Sequence, residues 1–221
     1  MFSLLPEATF SSKPSSTQSP SPSPRVETAA ATLNGKFYLF SGQGGVAMTP
    51  IDEQGSIWEY DPSSASWQLL SPRSREIHPA ARSYHCTPSD GHDTTYVHSG
   101  CPEKGRLSDL WAFSVAHKEW TELAPAPGPP RGGTSIAFAD GKLHRMNGFD
   151  GKTDCVPDGK EGLIPRSVSA LLPMYVADRR WLVTLFGERD PSALGHQGAG
   201  KMLSDVWAFD VEKTTWTEVD T

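Results

Sequence analysis

Short apolar runs separated by turn residues fill the chain from residue 25 onward. Apolar and polar positions alternate around an Asn-Gly pair in residues 28–42, TAAATLNGKFYLFSG, and around an Asp-Gly pair in residues 133–148, GTSIAFADGKLHRMNG. Alternation with a period of two predicts strands, and both pairs favour the positive φ angles of a tight turn. Each segment therefore predicts a β-hairpin. Residues 169–187, SALLPMYVADRRWLVTLFG, predict the same hairpin with a longer loop.

A second pattern is a pair of tryptophans nine residues apart, and it occurs three times in the chain. Each pair lies in a segment that predicts a strand, a turn and a second strand. The segments are GSIWEYDPSSASWQLL (55–70), SDLWAFSVAHKEWTEL (108–123) and SDVWAFDVEKTTWTEV (204–219).

A hairpin followed by a tryptophan segment makes a repeat of four strands and about 45–50 residues, the size of one β-propeller blade. Trp58 and Trp111 are 53 residues apart, whereas Trp111 and Trp207 are 96 residues apart with no tryptophan pair between the two repeats. The opening arginines Arg82 and Arg131 are 49 residues apart, whereas Arg131 and Arg166 are only 35 apart. About 14 residues are therefore absent after residues 148–162, roughly the length of a third and a fourth strand. The third blade is therefore predicted to be truncated.

An arginine at the start of each repeat, a hairpin that ends in Gly and a strand pair that carries tryptophans together resemble kelch repeats. The resemblance covers residues 25–221. It implies an all-β, kelch-type β-propeller of about four blades, with the third truncated and the ring incomplete. The expected blades are residues 25–72, 79–127, 130–163 (truncated) and 165–221. Residues 1–24 are rich in Ser and Pro and are expected to form a disordered tail.

The composition excludes several classes of function. A net charge of −6 argues against a nucleic-acid surface built from Lys and Arg. The cysteines, Cys86, Cys101 and Cys155, include no Cys-x-x-Cys pair, so neither a disulfide framework nor a zinc knot is expected. The N-terminus lacks a signal-peptide pattern, and every apolar run is far shorter than a membrane span. We therefore expect a cytoplasmic protein that binds neither nucleic acid nor membrane.

A narrower resemblance rests on four segments: AARSYH (80–85), PPRGGTSIAFADGKLHRMNGF (129–149), PRSVSALL (165–172) and LFGERDPSALGHQGAGKMLSD (185–205). These segments resemble the plant nitrile-specifier, epithiospecifier and thiocyanate-forming proteins and their fungal relatives. The resemblance implies an iron(II)-dependent lyase or isomerase that directs breakdown of a sulfur-containing, glucosinolate-type aglucone toward a nitrile.

The same resemblance implies a set of iron ligands in the last blade. Family members hold iron(II) with a Glu, an Asp four residues later and a His eight residues later. Glu188 and His196 match the first and third positions. Ser192 stands at the middle position, and Asp190 is displaced from it by two residues.

The residues of this loop carry a chemical argument of their own. The segment 188–203 is much longer than the corresponding loop of the second blade, and long loops in compact repeats are often functional. Glu188, Asp190 and His196 would present two carboxylates and one imidazole to a cation, a set that suits iron(II) or manganese. The alternative is a plain turn at Asp190 and a hydrogen-bonded loop residue at His196.

Arginines open the repeats at Arg82, Arg131 and Arg166, and less clearly at Arg25. Because the first strands of a propeller line its channel, their guanidinium groups would be placed to hold a sulfate or carboxylate. Arg82 and Arg131 are the candidate catalytic residues, and the family resemblance implies that Arg82 orients the substrate. The alternative is that these arginines pair with acidic residues of neighbouring blades and stabilise the ring.

Two other groups of residues suggest chemistry but favour packing. His85, Cys86, His98 and Cys101 lie within one predicted hairpin, at spacings that do not match a zinc knuckle. The tryptophan pairs recur at one blade position, which indicates packing between blades rather than a ligand platform.

Three functional hypotheses follow. The first is the iron-dependent specifier-like protein with a small-molecule substrate. The second is a non-enzymatic interaction scaffold, because kelch propellers often present loops to partner proteins. The third is an inactive truncated product. An incomplete ring would also expose sheet edges, which predicts self-association through those edges.

Overall fold

The computed structural model describes residues 20–154, 163–190, 192 and 200–220, and within them all regular elements are β-strands. Within these residues no helix is long and apolar enough to cross a membrane. The strands are β1 Ala30–Leu33, β2 Lys36–Phe40, β3 Gln43–Gly44, β4 Thr49–Pro50, β5 Ile57–Asp61, β6 Ser66–Leu70, β7 Thr94–His98, β8 Leu110–Ser114, β9 Glu119–Leu123, β10 Ser135–Ala139, β11 Lys142–Met146, β12 Ala170–Val176, β13 Arg179–Leu185, β14 Glu188–Arg189, β15 Lys201–Met202, β16 Val206–Asp210 and β17 Thr215–Glu218.

The described residues form six antiparallel sheets, of which β3-β4 and β14-β15 are small hairpins at loops. The other four follow one another along the chain, and we number them as blades one to four. Their strand orders are β1-β2-β5-β6, β7-β8-β9, β10-β11 and β12-β13-β16-β17. In blade two the place of the first strand is taken by isolated bridges such as Cys86↔His98. The all-β, kelch-type propeller is therefore confirmed, and within the described residues blade three contains two strands and the sheets form no closed barrel. The exact blade boundaries stay predictions.

The hairpin turns adopt the conformations that their residues favour. Asn34 and Gly35 have φ values of 51° and 76°, and Asp140 has a φ of 51°, as a tight two-residue turn requires. The prediction of a longer loop in residues 169–187 was wrong. Ala177 and Asp178 form the whole turn between β12 and β13, so the extra length lies in two seven-residue strands.

The hydrophobic core lies between neighbouring blades. One cluster joins blades one and two and includes Phe40, Val97 and Phe113, while a second joins blades three and four. Trp111 and Trp120 meet edge-on with ring centroids 6.5 Å apart, and Trp120 packs against Phe40 at 5.5 Å. The tryptophans therefore contribute to packing between blades, as their repetition indicated.

Candidate functional site

Four equivalent backbone bridges bring the loops after the second strands to one rim of the propeller. In each blade, the residue after the opening arginine pairs with the residue after the glycine that ends the hairpin. The bridges are Val26↔Gln43, Ser83↔Cys101, Gly132↔Phe149 and Ser167↔Glu188. Glu188 therefore occupies a repeated position, and the repeat itself places its side chain at this rim.

Two sets of contacts anchor Glu188. Its backbone amide donates to the Ser167 carbonyl at 2.9 Å and its carbonyl accepts from the Ser167 amide at 2.8 Å. Its side-chain Oε1 accepts a hydrogen bond from the backbone amide of Gly200, which begins the return of the loop. The carboxylate thus connects both ends of the loop that the sequence singled out.

Asp190 lies two residues further on, at the exposed edge of the same rim. Its Oδ2 is 3.1 Å from Nζ of Lys201 and 3.2 Å from Nε of Arg189. The hydrogen bond from Lys201 is the main reason that the pKa of Asp190 is lowered, and the charge of Arg189 adds to it. Asp190 is therefore ionised at neutral pH and available as an anionic oxygen donor.

Asp154 joins this group, although the sequence pattern did not single it out. Its Oδ2 accepts a hydrogen bond from the backbone amide of Asp190 at 3.2 Å, across 36 residues of chain. Its Oδ1 is buried and has no hydrogen-bond partner among the described residues. Burial raises the pKa of Asp154, and the neighbouring charges of Glu188 and Asp190 raise it further. Since Asp154 lies in the irregular end of blade three, no strand period or repeat position could reveal it.

A cavity of about 600 Å³ separates the rim loops of blades three and four. It is lined by side chains of both signs and by apolar groups, namely Phe149, Lys152, Thr153, Asp154, Ile164, Pro165, Arg189, Asp190 and Ser192. The guanidinium of Arg106, from the rim loop of blade two, lies 5.0 Å above the ring of Phe149. The site therefore combines several carboxylate side chains, nearby cationic side chains and room for a small molecule.

The predicted iron ligands are only partly represented in this region. Glu188, Asp190 and Ser192 lie at the rim, whereas His196 is outside the described residues. Within the described ranges, no three His, Cys, Asp or Glu side chains are close enough to share a metal ion. The carboxylates of Glu188, Asp190 and Asp154 are oxygen donors of the kind that iron(II) accepts, but the three do not converge on one point.

The arginines that open blades one, two and four form a repeated ion pair. Arg82 and Arg166 are fully buried. Arg82 binds Asp109 through both terminal nitrogens at 2.6 and 2.8 Å, and Arg166 binds Asp205 at 2.7 and 2.8 Å. Arg25 binds both oxygens of a carboxylate, Glu53, in the same way. The carboxylate belongs to the same blade in each case, not to the neighbouring blade as the alternative supposed.

Each of these carboxylates also accepts a hydrogen bond from the indole nitrogen of its blade, Trp58, Trp111 or Trp207. This explains why an arginine and a tryptophan recur together in the sequence.

Arg131 differs from the other opening arginines. Its side chain is 4% exposed, yet its guanidinium donates only to the carbonyls of Pro129 and Asn147, and no described carboxylate pairs with it. In the other blades the partner carboxylate precedes the third strand, which blade three lacks among the described residues. The catalytic roles expected for Arg82 and Arg131 stay predictions.

The histidines and cysteines of blade two pack in or beside its sheet, where His85, Cys86 and His98 are buried and Cys101 is partly exposed. Burial lowers the pKa of His85 to about 3 and that of His98 to about 4, so both are neutral. Burial raises the pKa of Cys86 to about 12 and also raises the pKa of Cys101. Neutral imidazoles and protonated thiols that are packed in a sheet agree with the expected packing role.

Comparison with known proteins is consistent with this geometry. A family model described as the KLHDC2/KLHL20/DRC7 Kelch-repeats domain matches residues 3–158. The N-(sulfonatooxy)prop-2-enimidothioate sulfolyase of Thlaspi arvense is 25% identical over 228 residues, which cover 86% of this chain and 62% of that protein. Tip elongation aberrant protein 3 of Schizosaccharomyces pombe is 30% identical over 133 residues, which cover 49% of this chain and 12% of that protein.

The chain thus spans less than two thirds of the length of either curated relative. The family model covers more than half of the chain, and the four sheets follow the repeat that it describes. The chain therefore belongs to the Kelch-repeat family of β-propeller proteins.

Proposed function

We propose that this protein is an iron(II)-dependent, specifier-like protein that acts on a small sulfur-containing substrate. The observation that carries the proposal is that the carboxylates of Glu188, Asp190 and Asp154 lie at the same rim of the propeller. Glu188 is anchored at a repeated position, and Asp154 approaches Asp190 with one buried oxygen that lacks a partner among the described residues. Glu188, Asp190 and His196 would hold the ion, with Ser192 at the middle position of the family pattern.

The electrostatics of the rim support cation binding. Asp154 has a pKa that is raised by burial and by neighbouring carboxylates. A bound cation would replace the proton of such a group and stabilise its ionised form. When bound, iron(II) would supply open coordination positions that suit a thiolate. Lys152 and Arg189 line the adjacent cavity, and they would attract the anionic part of a ligand.

The substrate class follows from the name of the Thlaspi arvense relative. An N-(sulfonatooxy) imidothioate carries a sulfur anion at one end and a sulfate ester at the other. The cavity presents both carboxylates and cations on its wall, so a metal-bound sulfur and a cation-bound sulfate could be accommodated together. We therefore propose a substrate with a thiolate and a sulfate group and a nitrile as the product.

Anaerobic titration calorimetry with iron(II) tests the metal site directly. We expect stoichiometric binding that weakens at least about tenfold in Glu188→Gln, Asp154→Asn and His196→Ala. The control is Glu212→Gln, which removes an exposed carboxylate from the turn between β16 and β17. Equal binding by all four variants and the wild type would exclude this site.

Product analysis then tests the reaction. The protein is incubated with iron(II) and N-(sulfonatooxy)prop-2-enimidothioate, and the nitrile is measured by gas chromatography. Nitrile above the iron-only background, lost in Glu188→Gln, supports the proposal. Iron binding without any nitrile would reject the substrate class while leaving the metal site standing.

A second candidate function is a protein-interaction scaffold. The hairpin β3–β4 projects from the same rim of blade one, and its turn exposes two apolar side chains, Val46 at 107% and Met48 at 46%. A contiguous exposed apolar patch is typical of a partner-binding site, and these two neighbouring side chains would contribute to such a patch. Affinity purification with wild type and with Val46→Asp, Met48→Asp tests this function. A stoichiometric partner lost in the double variant supports it, and recovery of the same proteins by both baits rejects it.

A further inference from the structure

Blade three has no third or fourth strand among the described residues, and the sequence there is too short to supply them. In blade two these strands and the turn between them occupy 14 residues, Leu110–Leu123. Only eight residues join Asp154 to Leu163, which are the described ends of the corresponding segment. The gap is therefore internal to the chain and lies beside β11.

The edge of β11 that faces this gap offers backbone groups for pairing, because β11 pairs only with β10. The hairpin turn has two residues, so Leu143 and Phe138 form a pair without mutual hydrogen bonds, and the amide and carbonyl of Leu143 point away from β10. No described residue bonds to them. At the equivalent position of the other blades, the partner is an aromatic residue of the third strand, namely Tyr60, Phe113 or Phe209.

Arg131 lacks the carboxylate that the other opening arginines bind. It is buried, and its Nη2 donates to no described residue, whereas Nη2 of Arg82 is 2.8 Å from Oδ2 of Asp109. In blades two and four the aspartate stands directly before the third strand. A buried guanidinium without a charged partner is costly, so a strand that enters the gap is favoured when an acidic residue precedes it.

The outer strands of blade four form an apolar wall of the gap. Phe113 and Trp120 of blade two are buried in a cluster that includes residues of β5 and β6 from the preceding blade. Their equivalents in blade four, Phe209 and Trp216, are only partly buried, because blade three presents no such strands in the described part of the chain. Apolar side chains of an added strand pair would cover them.

The indole of Trp216 indicates where a backbone acceptor would lie. Nε1 of Trp120 donates to the carbonyl of Gly55, just before the third strand of the preceding blade, at 2.7 Å. The ring of Trp216 contacts that of Phe209, with centroids 5.0 Å apart, but its Nε1 has no acceptor within the described ranges. The equivalent carbonyl would come from the residue before the third strand of blade three, so an added strand would restore this bond.

We propose that a β-hairpin of a partner protein completes blade three by adding a strand to the free edge of β11. The strand would carry an acidic residue followed by aromatic residues two and four positions later, the pattern of residues 109–113 and 205–209. Its carboxylate would bind Arg131, its second aromatic residue would pair with Leu143, and the carbonyl before its acidic residue would accept from Trp216. Strand addition combines backbone bonds with contacts to alternate side chains.

The four features act together, which favours a strand over a small anion. A free carboxylate or sulfate would satisfy only Arg131, and it would leave the edge of β11 and the aromatic side chains of blade four uncovered. The strand site needs no metal, so it is independent of the proposed iron site.

Fluorescence anisotropy of the full chain with a labelled synthetic peptide tests the site. The probe is residues 108–123 of this chain, SDLWAFSVAHKEWTEL, which has the required pattern. We expect saturable binding of one peptide per chain. Binding should weaken at least about tenfold for Asp109→Asn in the peptide and for Arg131→Gln in the protein, since each removes one charge of a buried pair. A scrambled peptide of the same composition is the control and should not bind.

Leu143→Pro blocks strand pairing without removing a charge. Proline has no amide hydrogen, and the Leu143 amide points away from β10, so the β10–β11 hairpin should persist while peptide binding is lost. Glu212→Gln, in the exposed turn between β16 and β17, should bind as the wild type does. Circular dichroism verifies each fold, and the Asp109→Asn peptide carries the charge test if Arg131→Gln does not fold. No binding by the wild type, equal binding by Leu143→Pro, or equal binding of the scrambled peptide would overturn the proposal.

Discussion

Lowering the pH from 7 to 5 should destabilise this protein through two buried histidines. His85 and His98 are both fully buried in blade two, with exposures of 5% and 0%. Nε2 of His98 has no hydrogen-bond partner within the described part of the chain. Burial lowers their pKa values from 6.5 to about 3 and about 4.

The magnitude follows from proton linkage. Between the unfolded and folded pKa values the unfolded state binds more protons, so stability rises with pH and falls on acidification. Each pH unit in this window changes the free energy of unfolding by about 1.4 kcal/mol for each histidine. At pH 5, about 1.5 units below the unfolded pKa, the two histidines together cost about 4 kcal/mol. This is a large part of the total stability of a typical domain, which is roughly 5–15 kcal/mol.

Urea denaturation at pH 7 and pH 5, followed by tryptophan fluorescence, measures this difference. The double variant His85→Phe, His98→Asn removes both titrating groups, and Asn retains a donor toward the Asp109 carbonyl that Nδ1 of His98 contacts at 2.7 Å. Its stability should change by less than about 1 kcal/mol over the same interval. The pKa of Asp205 is lowered by its hydrogen bonds to Arg166. Such carboxylates change the free energy of unfolding with pH only near and below about pH 4. A wild type that is equally stable at both pH values, or a double variant that keeps the full slope, would refute this reasoning.

Two further predictions concern buried groups. Asp205→Asn leaves the fully buried guanidinium of Arg166 without its charge partner, so we expect a loss of about 3–5 kcal/mol in urea denaturation, against less than about 0.5 kcal/mol for Glu212→Gln. Similar midpoints for both variants would contradict that role of the ion pair. Cys86 should resist a thiol reagent at pH 8 in the native state and react once urea unfolds the chain, because burial raises its pKa to about 12. Site-resolved mass spectrometry measures this, and rapid native labelling of Cys86 would contradict its burial.

Local signals accounted for much of the fold. The Asn-Gly turn of the first hairpin forms at Asn34 and Gly35 as predicted, because the turn chemistry acts between adjacent residues. The tryptophan spacing identified blades one, two and four, since packing between blades recurs at one repeat position. The predicted length of the turn at Ala177 and Asp178 was wrong, because no strong turn signal separates the apolar residues of β12 from the start of β13.

Local signals in the sequence also identified some residues of the candidate site and missed others. Glu188 was identifiable because it lies in an unusually long loop at a repeated position. Asp154 was not, because its contact with Asp190 joins two loops 36 residues apart, and irregular segments have no period that relates them. The pairing of Arg82 with Asp109 joins residues 27 positions apart, so it is visible only in the folded blade.

The sequence by itself determined the repeat unit and most of its strands and predicted a truncated third blade, because hydrophobic period and turn residues act over short distances. The tertiary structure decided which apolar faces are covered. Ala31 and Leu172 occupy the same repeat position, yet one is 2% exposed and the other 48% exposed. The physical reason is that burial depends on the next blade being present, and the residues of a single repeat contain no information about its neighbours.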